Sequence, residues 1–272
     1  MKPDYLDKVI VSSDDSSYFL NFWPIVCKSW KKFFDITPTL AFVSNRSESE
    51  PLIQKLKSYG EVIVVPELEN IPKANQAKVA RFLVASTFDE KVCTIEDIDT
   101  IPLERNYIEQ RLKKRPKNKI LAVGREVLEN TPHHGKFPIS HITSEGYKFK
   151  DLFNPRLKKY ADAVRSFEKI EVFDHKENIL NHPSNFSDES LVRALIHIND
   201  LKQSIFDVRR DVDIYNDWID RSWWRIDKEK LNKGEYVCCN FMRPFKENLF
   251  SSLPVVEYIY GKIPKEEEIF VL

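Results

Sequence analysis

The sequence predicts an α/β protein, a mainly parallel sheet covered by helices on both faces. Strand-like and helix-like segments alternate from residue 8 to residue 123, and such alternation implies crossover connections with helices lying on the sheet. The 272 residues are 42% hydrophobic and 12% aromatic, enough for an ample core. A short apolar run, Val92 to Ile95, ends in the carboxylates Glu96, Asp97 and Asp99. Ligands of parallel sheets sit beyond the carboxyl ends of their strands, which is where these acids fall.

Lys8 to Ser12 reads as the first strand, and Ser13 to Ser17 as a polar turn suited to cap a helix. Phe19, Phe22, Trp23, Val26, Trp30 and Phe33 recur at three- and four-residue steps, one broad apolar helical face. Pro24 either kinks that helix or lies near its start. Thr39 to Ser44 is a second strand, Pro51 to Tyr59 a helix ended by Gly60, and Glu61 to Val65 a third strand. Lys73 to Ser86 is a helix leading into the acidic strand; Asn106 to Lys114 and Lys119 to Val123 are a further helix and strand. Residues 132–155 are irregular. Helical signals return at Arg156 to Lys169, from Asp188 to about Ser204 and at Pro254 to Tyr260. Trp218, Trp223 and Trp224 are expected to pack this C-terminal helical extension rather than to stack on sugar rings.

Composition excludes several functions. Lys plus Arg equal Asp plus Glu at 42 each, so there is no positive surplus for nucleic acid. The run Lys113, Lys114, Arg115, Lys117 and Lys119 is a solvated helix end. Six glycines with no G-x-G exclude a Walker loop and a dinucleotide fingerprint. A bound nucleotide would need a metal and side chains on its phosphates. Cys27, Cys93, Cys238 and Cys239 show no C-x-x-C, and the six histidines no H-E-x-x-H, with His133-His134 in an exposed loop. With no signal peptide and no apolar run of bilayer length, a cytoplasmic protein in a reducing compartment is expected.

Asp97 and Asp99 are two apart, so on a strand they share a face. Two hard oxygen ligands at that spacing can hold a divalent cation, and the cation a diphosphate. Lys78 and Arg81 share a helical face and can reach a diphosphate or pair with Asp97. Asp14 and Asp15 follow the first strand as turn formers. Asp188-Glu189 opens a helix at Ser187, where carboxylates complement the dipole and can also act as a rigid general base.

Ordered blocks across most of the chain resemble the A-type (GT-A) nucleotide-sugar glycosyltransferases, including small soluble members carried by large DNA viruses. The blocks are Tyr18 to Ile25 with Trp30, Ile71 to Arg81, Thr94-x-x-Asp97-x-Asp99-x-x-Pro102-Leu103 with Arg105 to Tyr107, Phe137 to Thr143 running into Phe149 and Phe153, Asp188-Glu189, and Arg243-Pro244-Phe245. The resemblance implies one domain over residues 1–272: a nucleotide-sugar-binding part (1–130), an acceptor-side part (131–205) and the helical extension (206–272). It implies an inverting, Mn²⁺- or Mg²⁺-dependent transfer of sugar from a nucleotide donor to a glycan or glycoprotein. Asp97 would contact the ribose or metal and Asp99 the metal. Asp14, Gln76, Lys78, Arg81 and Arg243 would hold the donor, His141 and Thr143 the acceptor, and Asp188 or Glu189 would be the base. The family pattern departs at Tyr236 to Phe245: Asn240 stands where relatives carry a metal-ligating histidine, and amide oxygen is the weaker donor. Two other classes are set against it, the first kept as the alternative and the second rejected. One is a catalytically degenerate glycan- or partner-binding module. The other is a phosphatase read from Asp97-Ile98-Asp99-Thr100, for which Ile101 and the scarcity of glycine are unsuited.

Overall fold

The structure, a computed structural model, describes residues 5–128, 137–153, 188–211, 213 and 215–272. The expected helix at Arg156 to Lys169 and the loop histidines His133 and His134 lie outside these residues. The main sheet begins with β1 (Lys8–Ser13), β2 (Thr39–Val43) and β3 (Glu61–Val65), each parallel to the one before it. The chain then crosses back, and β4 (Val92–Ile95) pairs in parallel with the other edge of β1. Beyond it stand β7 (Ile142–Glu145), β6 (Ile120–Val123) and β8 (Ile205–Val208), completing the order β3-β2-β1-β4-β7-β6-β8. Only β7 runs antiparallel to its neighbours.

Both faces of this sheet are buried, and alternation along each strand sorts side chains between two cores. Val9, Val11, Leu40, Phe42, Leu121 and Val123 pack on one face; Ile10, Ala41, Val43, Ile120 and Ala122 on the other. The first core takes α2 (Trp23–Phe34), which buries Trp23, Trp30 and Phe34, together with α3 (Pro51–Tyr59) and α5 (Asn106–Lys114). Pro24 sits in the first turn of α2, where its missing N–H has no helical partner to lose, so the helix begins there unkinked. The preceding short helix α1 (Ser17–Leu20) is capped by Ser16. The second core takes α4 (Lys73–Ser86), α6 (Gly146–Phe153) and α7 (Asp188–Ile198).

Residues 206–272 carry strands as well as the helices expected there. β9 (Trp218–Asp220) and β10 (Cys238–Asn240) join β5 (Thr100–Pro102) in a second, three-stranded sheet, order β5-β10-β9. The helices α8 (Lys228–Asn232), α9 (Leu249–Tyr260) and α10 (Glu266–Ile269) complete this part of the chain, α9 packing on α2 and α8, and α10 on α2. Trp218 is buried against Tyr107 and His141, and Trp224 packs on Phe241. All four cysteines are buried and free. Among the described residues no helix is long and apolar enough to cross a membrane.

Gly146 marks a tight seam between layers. A Cβ there would stand 2.7 Å from the carbonyl oxygen of Ala85 and 2.7 Å from the amide nitrogen of Asp89, both backbone atoms that cannot swing aside. Gly146→Ala is therefore expected to cost about 2 kcal/mol by overpacking. A lowered urea midpoint at unchanged slope checks it.

Candidate active site

The reversal of strand order between β1 and β4 opens a crevice at their carboxyl ends, the topological switch point at which ligands of such sheets bind. A cleft of about 240 Å³ lies there. Its floor is Ser12 and Ser13 at the end of β1 with Asp14 after them, and Asp97, Ile98 and Asp99 after β4; one wall is Ala74, Ala77, Lys78 and Arg81 of α4. Those four recur at helical spacing, so a single face of α4 lines the cleft. Glu189, Arg221, Arg243 and Phe19 close the rest.

Asp97 and Asp99 share the cleft for a reason other than strand alternation. β4 stops at Ile95, and the acids occupy a turn in which the Thr100 amide donates to the Asp97 carbonyl at 3.0 Å. Arg81, 3% exposed, sends Nη1 to Asp97 Oδ1 and to the Glu96 carbonyl, each at 2.7 Å. The Ser140 hydroxyl donates to Asp97 Oδ2 at 3.3 Å. Burial works to raise the Asp97 carboxyl, but Arg81, with Arg243 and Arg221 beyond it, outweighs burial and holds it below the usual aspartate range. Asp99 is 1% exposed, and its Oδ2 accepts from both Nη1 of Arg221 and Nε of Arg243. The Arg243 guanidinium also lies 5.0 Å from the centre of the Phe19 ring.

Several residues expected at the site lie behind it. Gln76 is fully buried; its amide bonds the Leu68 amide and the Leu68 and Ile71 carbonyls, fixing the loop before α4. His141 Nδ1 is 2.5 Å from Oε1 of the fully buried Glu96, and Thr143 shares a hydroxyl–hydroxyl bond with Thr94 between β7 and β4. Both are buried, so in this arrangement neither offers an acceptor a polar contact. Burial pushes the Glu96 carboxyl up against the pull of His141, and among the described residues its Oε2 has no hydrogen-bond partner. Asp14 lines the cleft while its Oδ1 accepts from the Ser16 amide, the turn role its position suggested. Asp15 pairs with Lys73. Asp188 opens α7, and Glu189 beside it reaches the cleft.

The set Asp97, Asp99 and Asn240 does not fit a divalent cation as arranged. Asn240 Oδ1 accepts from the Thr100 hydroxyl at 2.8 Å, and its Nδ2 donates to Asp220 Oδ2 at 2.8 Å, so the amide is tied into the second sheet at both ends. Among the described residues no three His, Cys, Asp or Glu side chains group closely enough to hold a metal. Arg221 was not foreseen. It follows β9, and only the pairing of β9 with β10 brings it to Asp99.

The sequence matches no protein-family model and no curated protein. Among solved structures, the galactosyltransferase LgtC, in complex with donor and acceptor sugar analogues, is similar over 96% of this chain and 98% of its own. The TM-score is 0.52 at 10% identity. The chain has the LgtC fold. The Streptococcus pneumoniae TIGR4 glycosyltransferase GlyE is similar over 75% of this chain at 12% identity and TM-score 0.45, and this chain spans 45% of its length. The bifunctional glycosyltransferase WbbM is similar over 99% of this chain and 52% of its own, at 12% identity and TM-score 0.47.

Proposed function

We propose that the chain transfers a glycosyl residue from a nucleoside-diphosphate sugar to a hydroxyl of a glycan or glycoprotein, with inversion at the anomeric carbon. The observation that supports this is the cleft at the β1/β4 switch point, where Lys78, Arg81, Arg221 and Arg243 surround Asp97 and Asp99. Guanidinium and ammonium groups gathered at that place suit a diphosphate, and they lie in a fold shared with a galactosyltransferase.

The acceptor oxygen attacks the anomeric carbon as the carbon–oxygen bond to the diphosphate breaks and its electron pair leaves with the phosphate. The hydroxyl proton goes to a carboxylate on the attacking side, and Glu189 on the cleft wall fills that role. Lys78 and the arginines take the charge that grows on the departing diphosphate. Asp97, held ionised by Arg81, contacts the ribose.

A panel of nucleotide-sugars is expected to yield slow release of nucleoside diphosphate from one of them, with water as acceptor and the inverted sugar seen by proton NMR. Glu189→Gln should cut that turnover about a hundredfold while leaving donor affinity unchanged. Release from none of the donors defeats the proposal. Donor binding without turnover puts a glycan- or partner-binding module in its place, and general phosphomonoester hydrolysis a phosphatase.

A further inference from the structure

Resting on that reading, we infer that Arg221 and Arg243 bind the donor diphosphate directly and take the place of a divalent cation in this cleft. Both guanidinium groups meet on one oxygen of the buried Asp99 carboxylate. Each spends a single nitrogen there, and among the described residues neither makes another hydrogen bond. A guanidinium carries five N–H donors in a planar fork that matches phosphate oxygens, so both keep donors to spare on the cleft wall.

The second sheet aims Arg221. Asp220, the last residue of β9, accepts from the Ser222 amide with Oδ1 and from Asn240 Nδ2 with Oδ2, each at 2.8 Å. This brackets Arg221 between two fixed neighbours. Asn240 pairs in register with Asp220 across β9 and with Thr100 across β5. It is therefore a positioning residue for Arg221, at the place where a metal-ligating side chain was expected.

Four cationic side chains (Lys78, Arg81, Arg221, Arg243) and four carboxylates (Asp14, Asp97, Asp99, Glu189) line the cleft, so it is the aim of the guanidinium groups, not a surplus of charge, that suits a diphosphate. A divalent cation seated on Asp97 and Asp99 would face three guanidinium groups already bonded to those carboxylates, and would have to displace them.

The test is calorimetric titration of the full chain with UDP, GDP, CDP and ADP, once in a metal chelator and once with Mn²⁺. At least one nucleotide should bind in chelator with an affinity within about threefold of that in Mn²⁺. Arg221→Gln should weaken binding in chelator about ten- to hundredfold. Arg221→Lys, which keeps the charge and loses the fork, should fall between, and the melting temperature of each nucleotide-free variant confirms that it is folded. Binding that needs Mn²⁺, or an Arg221→Gln affinity in chelator equal to wild type, overturns the inference and leaves the glycosyltransferase reading standing. Binding of no nucleotide in either buffer overturns that reading, and the inference falls with it.

Discussion

Asp99→Ala is expected to lower the melting temperature by about 6–12 °C and donor-dependent turnover at least about a hundredfold. One carboxylate oxygen gathers Arg221 and Arg243, so its removal leaves two like charges adjacent without their counterion. Deleting one partner of a buried pair typically costs about 3–5 kcal/mol. Arg221 is 38% and Arg243 27% exposed, so water relieves part of that and the lower end, about 3 kcal/mol, applies. For a chain of this size each kcal/mol is about 2–4 °C. The turnover loss follows from the same geometry: without Asp99 the two guanidinium groups repel and no longer converge on the diphosphate. Asp99→Asn separates anchoring from bare charge. It keeps an oxygen to accept from the arginines and should recover part of the melting temperature. A melting temperature for Asp99→Ala within about 2 °C of wild type would mean that the arginine pairs are not made in solution.

The main sheet was legible because its signals are local. Pro51 starts and Gly60 stops the helix between them, and the apolar run at Glu61–Val65 and the helix Lys73–Ser86 have the bounds the pattern predicts. The second sheet left no such mark. Its strands are three residues each, too short for a period of two to show, and they are held by pairing between Thr100–Pro102 and residues more than a hundred positions away. Arg221 was hidden for the same reason, since nothing near it in sequence points to Asp99. Gln76, His141 and Thr143 show the converse. Each is polar and adjacent to a motif, but whether such a side chain faces the cleft or ties two elements together is decided by packing, and here all three are buried. Asp97 and Asp99 reach one cleft through a turn after β4 rather than by alternation along it. The spacing argument thus brought together two acids that do share a cleft, but through a geometry the chain does not use.

Arg81→Met is expected to destabilise the protein by about 3 kcal/mol at neutral pH, and by progressively less as the pH falls. The side chain is 3% exposed, and its Nη1 serves both Asp97 and the Glu96 carbonyl. Methionine fills much of the buried stem, so the loss is mainly electrostatic. The ion pair contributes about 2 kcal/mol, below the usual range for buried pairs because Asp97 is 36% exposed and partly screened. The stranded Glu96 carbonyl adds about 1 kcal/mol. In the wild type the Asp97 carboxyl lies below its ordinary value, so its contribution is complete above about pH 4 and is lost as pH falls through the folded value. In the variant burial remains while the nearest cation is gone, and the carboxyl should move upward. If it passes its ordinary value, the sign reverses: the unfolded chain releases its proton first, and stability falls as pH rises through the aspartate range. The gap between the two proteins should therefore widen as the pH rises through the aspartate range and then level off, as urea unfolding at stepped pH would show. A gap independent of pH would mean that Arg81 acts through packing alone and that Asp97 owes its ionised state to Arg221 and Arg243.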